Sequence, residues 1–240
     1  MSGMMLVAAL IASFQPAPER LQGQLSATVG EYSLVAGSLL QALHRVASDF
    51  KLPMGVEWVR DADSLKPIRL SWTESSVQNV IERVVAQYPG YRISTDGSVI
   101  HVFREDIRSD STNLMELRLG PVEFNEELST ASGLKLRSRV ARVLRPPSLG
   151  GEASSIASGP GGDRLVNFKA KNPTLRETLD GFAVSAGGVM WIVTYGPPER
   201  RDLRGRSTVT LGGHQVGPEH DPLWTFLPWG PPSLVKVSGR

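Results

Sequence analysis

One strand–helix–strand pattern occurs twice in this chain at a constant offset of 98 residues. Residues 68–97 and 166–195 can be laid on each other without a gap. In each copy an alternating strand leads into an amphipathic helix, and a glycine (Gly90 or Gly188) lets the chain reverse into the next strand. We therefore predict an α+β fold of two small βαβ-type modules, in which amphipathic helices pack on short mixed sheets.

The first module, residues 30–108, contains the clearest helix of the chain. The apolar stripe of this helix is formed by Val77, Val80, Ile81, Val84 and Val85. An earlier helix is predicted at 39–50, and two short strands are predicted at 56–59 and 68–72 between the helices. A hairpin over 91–103 completes the order α-β-β-α-β-β. Residues 15–37 are interpreted as a polar lead-in.

The second module, residues 113–197, is predicted to form its own small sandwich, joined to the first around residue 110. Thr174 and Glu177 have the spacing of a capping box at the start of its second helix. The segment 124–145 fits either a helix or an alternating strand, and helix is favoured because the first module also begins with one. A Pro/Gly/Ser-rich loop at 146–163 interrupts the module, and residues 198–240 are read as an irregular tail.

The N-terminus has the apolar run of an export signal. Residues 4–14 are apolar or small without interruption, and the first charge is Glu19. This run is too short to span a bilayer and is typical of the apolar segment of a signal peptide, although no Lys or Arg precedes it. We predict a signal peptide at 1–22 that is cleaved between Ala12 and Gln22. The alternative is an N-terminal strand or helix packed in the core.

Several segments of the first module resemble the secretin and TonB N-terminal short domain, or STN domain. They are LLQALHRVA at 39–47, IRLSW at 68–72, SVQNVI at 76–81 and YRI at 91–93. They follow the family pattern of a helix, a short strand, a second strand, a helix and a closing strand with a tyrosine. The resemblance covers about 35–104, and 115–196 is only similar, mainly through 166–195.

The resemblance implies a place in the bacterial envelope. In secretins and TonB-dependent receptors, such domains lie in the periplasm, on the N-terminal side of an outer-membrane barrel, and contact other proteins. Too few residues follow Tyr195 for a series of transmembrane strands, so we expect no barrel here. The resemblance thus implies a stand-alone periplasmic protein built from such modules.

The chain has few of the side chains that commonly carry out catalysis. The chain has no cysteine, which excludes disulfides, thiolate zinc sites, iron–sulfur clusters and a cysteine nucleophile. Its histidines are His44, predicted at a helix edge, His101, predicted to face solvent, and the pair His214 and His220.

The segment GGHQVGPEHDP, which contains His214, His220 and Asp221, is the only cluster of metal-ligand residue types. It lies in a Gly/Pro loop with no regular element to fix its geometry. We therefore predict no catalytic residue, metal site or cofactor.

A basic segment is the candidate partner surface. Its cations are Lys135, Arg137, Arg139, Arg142 and Arg145, and no acidic residue lies among them. As a helix this segment either forms a solvated face or meets an acidic protein, an anionic lipid or a glycan. It has no interleaved aromatic residues, and the chain's net charge is only +2, so nucleic-acid binding is not predicted.

We expect an exported, non-catalytic envelope protein that binds protein partners, through an exposed edge strand and the basic helix. The sequence leaves two alternatives open. One is a small metal-dependent hydrolase that uses the loop from His214 to Asp221. The other is a structural subunit of a secretion or pilus assembly. Partner identity and oligomeric state are not predicted.

Overall fold

The fold is α+β, as the sequence predicts. The computed structural model describes residues 17–59, 61–95, 97–109, 113–144, 164–187 and 190–195, together with the backbone of 209–211, 214–216 and 224–227. Its helices are α1 (Ala17–Ser26), α2 (Leu39–Phe50), α3 (Val77–Val85), α4 (Glu105–Arg108), α5 (Ser129–Leu144) and α6 (Leu175–Ser185), with a 3-10 turn at Leu114–Glu116. Its strands are β1 (Thr28–Ala36), β2 (Met54–Val59), β3 (Ile68–Ser76), β4 (Tyr91–Ser94), β5 (Ile100–Arg104), β6 (Val122–Leu128), β7 (Leu165–Ala170), β8 (Met190–Tyr195), β9 (Val209–Leu211), β10 (His214–Val216) and β11 (Trp224–Leu227).

The central sheet contains strands from both modules. Its order is β10-β9-β8-β2-β5-β4, and β11 also pairs with β8. Strand β2 of the first module lies parallel to β8 of the second, from the pair Met54 and Met190 to the pair Val59 and Tyr195. The prediction of two separate sandwiches is therefore wrong, because the modules share one sheet.

Alternation along β8 divides the interior into two cores. Met190 and Ile192 pack in the first core with the apolar faces of α2 and α3. Trp191, Val193 and Tyr195 point the other way and pack in the second core with α6. The shared sheet is thus covered by helices of the first module on one face and helices of the second on the other.

Each module adds a separate two-stranded antiparallel sheet. In the first module β1 pairs with β3 and sets Tyr32 opposite Trp72. In the second module β6 pairs with β7 and sets Phe124 opposite Phe168. The predicted polar lead-in at 15–37 is wrong, because it contains α1 and β1.

The helix starts follow the local sequence. The Ser38 hydroxyl accepts a hydrogen bond from the Gln41 amide at 3.2 Å at the start of α2. At α6 the Thr174 hydroxyl accepts from the Glu177 amide at 3.1 Å, and the Glu177 carboxylate accepts from the Thr174 amide at 2.7 Å. The predicted capping box is therefore confirmed.

The favoured helix in 124–145 is confirmed, and the alternating strand over 134–140 is wrong, because those residues lie within α5. Strand β6 ends at Leu128, and α5 begins at the next residue. No helix in the described part of the chain is long and apolar enough to cross a membrane. The predicted loop 146–163, the apolar run 4–14 and most of the tail lie outside the described residues. The prediction of an irregular tail at 198–240 is wrong for the described part of the tail, because β9, β10 and β11 belong to the central sheet.

Candidate functional site

A groove of about 330 Å³ lies between β6 and α5 of the second module. Its apolar lining includes Val122, Phe124 and Leu136, and its cationic lining is Lys135, Arg139 and Arg142. Three of the five cations predicted as a partner surface therefore line one concavity. Of the other two, Arg137 is half-buried on α5, and Arg145 lies outside the described residues.

The local sequence explains how the groove forms. Along β6, Val122 and Phe124 are buried and Glu123 between them is exposed, so the apolar side faces the second core. Helix α5 follows β6 without a loop, and the Ser129 amide donates to the Arg164 carbonyl at 2.7 Å at the start of β7. Val140 and Leu136, one helical turn apart, then pack α5 into the same core.

The groove carries an excess of positive charge. The Lys135 ammonium lies 2.7 Å from a carboxylate oxygen of Glu127. The Arg139 guanidinium donates from Nε to the Leu119 carbonyl at 2.6 Å, which holds the side chain beside the strand. A carbonyl carries no net charge, so this contact does not neutralise the guanidinium. Glu123 is the acidic residue among the described residues that line the groove, and it pairs outward with Lys169 at 2.8 Å.

Strand β6 has one edge without a partner strand in the described chain. It pairs only with β7, in regular register from Val122 to Phe124. A bulge follows, in which Glu126 adopts a left-handed φ of 50° and its amide donates to the Asn167 side chain at 2.8 Å. The regular stretch before the bulge is the part that lines the groove.

A buried polar cluster joins the modules on the second-core face of the shared sheet. The Arg176 guanidinium of α6 donates to Glu57 Oε1 of β2 from Nη2 at 2.9 Å and from Nε at 3.2 Å. It also donates to Glu116. The Tyr195 hydroxyl donates to Asn113 Oδ1 at 3.0 Å, and the Asn113 amide lies 3.4 Å from Glu57 Oε2. The Glu57 side chain is 1% exposed, so these partners take the place of the water that would otherwise surround its carboxylate.

The protonation of the cluster follows from its surroundings. Burial, with the Glu57 charge adding to it, raises the pKa of the Tyr195 hydroxyl well above its usual value, so the hydroxyl remains a donor. Burial lowers the pKa of Arg176, but the charge of Glu57 and the contact with Glu116 outweigh it and raise that pKa overall. Arg176 therefore keeps its charge and the Tyr195 hydroxyl keeps its proton. The cluster is hydrogen-bonded within itself, and we assign it to the joining of the modules.

No protein-family model, curated protein or solved structure matches this chain. The assignment of a function therefore depends on the geometry of the groove and on the sequence resemblance.

The environment predicted for His101 is wrong. His101 does point to the sheet face opposite Ile100 and Val102, but helix α6 covers that face, and His101 is only 8% exposed. Its Nε2 lies 2.9 Å from Asp180 Oδ1, which also accepts a hydrogen bond from Trp191 Nε1 at 2.9 Å. The prediction treated the modules separately and so left this face open to solvent.

The other histidines bear on the alternative functions. His44 is half-buried on α2, in keeping with the predicted helix edge. His214 begins β10, whereas His220 and Asp221 lie outside the described residues. Among the residues whose side chains the structure places, no three His, Asp or Glu come together as a metal site.

Sequence analysis missed the polar cluster and the partner of His101. The missed signal is Glu57, a charge inside the otherwise apolar strand MGVEWV. A charge in such a strand indicates a buried partner from elsewhere in the chain. Arg176 is 119 residues away from Glu57, and nothing in the local sequence singles it out.

Proposed function

We propose that this chain is an exported, non-catalytic protein-binding module of the bacterial envelope, and that the groove between β6 and α5 is its binding surface. The observation that carries the proposal is the convergence of Lys135, Arg139 and Arg142 on a partly apolar concavity. Beside it lies a strand edge that has no partner strand in the described part of the chain. Concave apolar surfaces with a few charged groups are typical binding sites, and free strand edges are typical places for peptide addition.

The order of elements in the first module supports its relation to the STN domain. Helix α2, strands β2 and β3, helix α3 and strand β4 follow the family pattern in sequence. The closing tyrosine is Tyr91, at the start of β4, and its hydroxyl accepts from the Val59 amide at 2.9 Å and donates to the Val59 carbonyl at 3.2 Å. This tyrosine thereby ties the last part of the module to the end of β2.

Export leads to a prediction about the mature N-terminus. Leu21 and Leu25 of α1 are each 1% exposed in the first core, so cleavage after Gln22 would remove a buried side chain. We expect N-terminal sequencing of periplasmic protein to place the cleavage between Ala12 and Ala17. Protein that retains Met1 and fractionates with the cytosol would contradict export.

Charge reversal in the groove tests the binding surface. The Lys135→Glu/Arg142→Glu variant changes two exposed side chains and leaves the second core intact. We expect this variant to capture the envelope partner about 10-fold less efficiently than the unmodified chain in pull-downs, because two attractive charges become repulsive. Quantitative mass spectrometry of the captured proteins gives the ratio.

The matched control is the Arg69→Glu/Arg92→Glu variant, which makes the same change of charge on exposed residues of the first module. It should capture the partner as well as the unmodified chain. Equal loss in both variants would show that net charge, and not the groove, controls binding.

A further inference from the structure

We propose that the groove takes an extended acidic segment of a partner protein, which pairs with β6 as an added strand. This inference depends on the proposed function, since it names the chemistry of the partner at the same groove. Two features support it: the strand edge restricts the conformation of the segment, and the three cations restrict its side chains.

The strand edge restricts the conformation of the segment. Among the strands that the structure describes, β6 pairs only with β7, and its regular stretch from Val122 to Phe124 lies in the groove. The bulge at Glu126 ends the regular pairing, so an added strand has a short stretch of backbone to pair with. An extended segment satisfies these backbone groups, whereas a helix presents none to them.

The charges restrict the side chains of the segment. In an added strand, alternate side chains point toward α5 and meet Lys135, Arg139 and Arg142 beside an apolar floor. The intervening side chains lie on the other face, beside Glu123. Acidic residues are favoured at the first set of positions and opposed at the second, because like charges on neighbouring strands repel. The partner therefore carries its Asp and Glu at alternate positions.

The same charges oppose a second copy of this chain as the occupant. Two β6 strands paired antiparallel over the regular stretch from Val122 to Phe124 would set Glu123 of one copy opposite Glu123 of the other. An anionic membrane would meet the exposed cations but would leave the strand edge unpaired.

A random peptide library displayed on phage and selected on the full chain tests this chemistry. We expect enriched peptides with acidic residues at alternate positions. They should bind the Lys135→Glu/Arg142→Glu variant about 10-fold more weakly and the Arg69→Glu/Arg92→Glu variant unchanged. Replacing the peptide acids by lysine should reverse that preference.

Each other outcome overturns the inference. Enriched peptides that lack acids but still lose affinity in the groove variant would refute the acidic partner and leave the groove as the binding surface. A second outcome is that no selected peptide depends on the groove, while the chain binds phosphatidylglycerol vesicles and the groove variant does not. This outcome would refute the added strand and favour a membrane. Selection that yields neither would refute the inference and the proposed binding surface together.

Discussion

Replacing Gly55 with alanine is expected to destabilise the folded chain by about 3 kcal/mol. Gly55 lies on β2 directly opposite Trp191 of β8, and an added Cβ would stand 2.1 Å from a ring carbon of that tryptophan. Trp191 is fully buried and its Nε1 is bonded to Asp180, so the ring has little freedom to move away. Urea denaturation followed by circular dichroism measures the loss.

The matched control is Gly23→Ala in α1. Gly23 is exposed, and nothing lies within 4 Å of an added Cβ there, so alanine should stabilise the helix by about 0.5–1 kcal/mol. Adding Trp191→Phe to Gly55→Ala should restore part of the lost stability, because the smaller ring withdraws from the added methyl group. A Gly55→Ala chain as stable as the unmodified one would contradict the parallel register of β2 and β8.

The second large effect is expected from Arg176→Met. The substitution removes the guanidinium from Glu57, whose side chain is 1% exposed, and leaves a buried carboxylate without its cation. Breaking a buried ion pair in this way costs about 3–5 kcal/mol. The free energy of unfolding in urea should fall by that amount.

A double variant separates two causes of the lost stability, the unpaired charge of Glu57 and the loss of packing around Arg176. Glu57→Leu/Arg176→Met removes both charges, and the Tyr195 hydroxyl retains its bond to Asn113, so most of the stability should return. Lys169→Met, which breaks an exposed pair with Glu123, should cost less than about 1 kcal/mol. Equal losses for Arg176→Met and Lys169→Met would show that Arg176 is not paired inside the protein.

Local patterns predicted the elements of the first module from α2 to β5, because each of these depends on residues close in sequence. The stripe that includes Val77 and Val84 gives α3, and the turn after Ser94 gives the β4–β5 hairpin. Helix α1 was not predicted because Leu21 and Leu25 are its only large apolar residues, which are too few to show a helical stripe. Their burial comes from tertiary contact.

The sharing of one sheet was not predictable from such patterns. The pairing of Met54 with Met190 joins residues far apart in the chain, and the alternation in each strand fits a separate sheet equally well. The buried partners of Glu57 and His101 follow from that pairing, so they were missed together. The basic segment from Lys135 to Arg145 could be recognised in the sequence because it is a run of cations without an acidic residue. The groove beside it could not be predicted, because it depends on where β6 lies in the fold.

Site-specific photo-crosslinking in the native host tests the central claim that the groove between β6 and α5 holds a partner protein. A photoreactive residue at Ser138, which lines the groove and is exposed, is predicted to give a crosslinked protein adduct. The same residue at Val35, which is 57% exposed on β1, is predicted to give none. An adduct at Val35 without one at Ser138 would contradict the account.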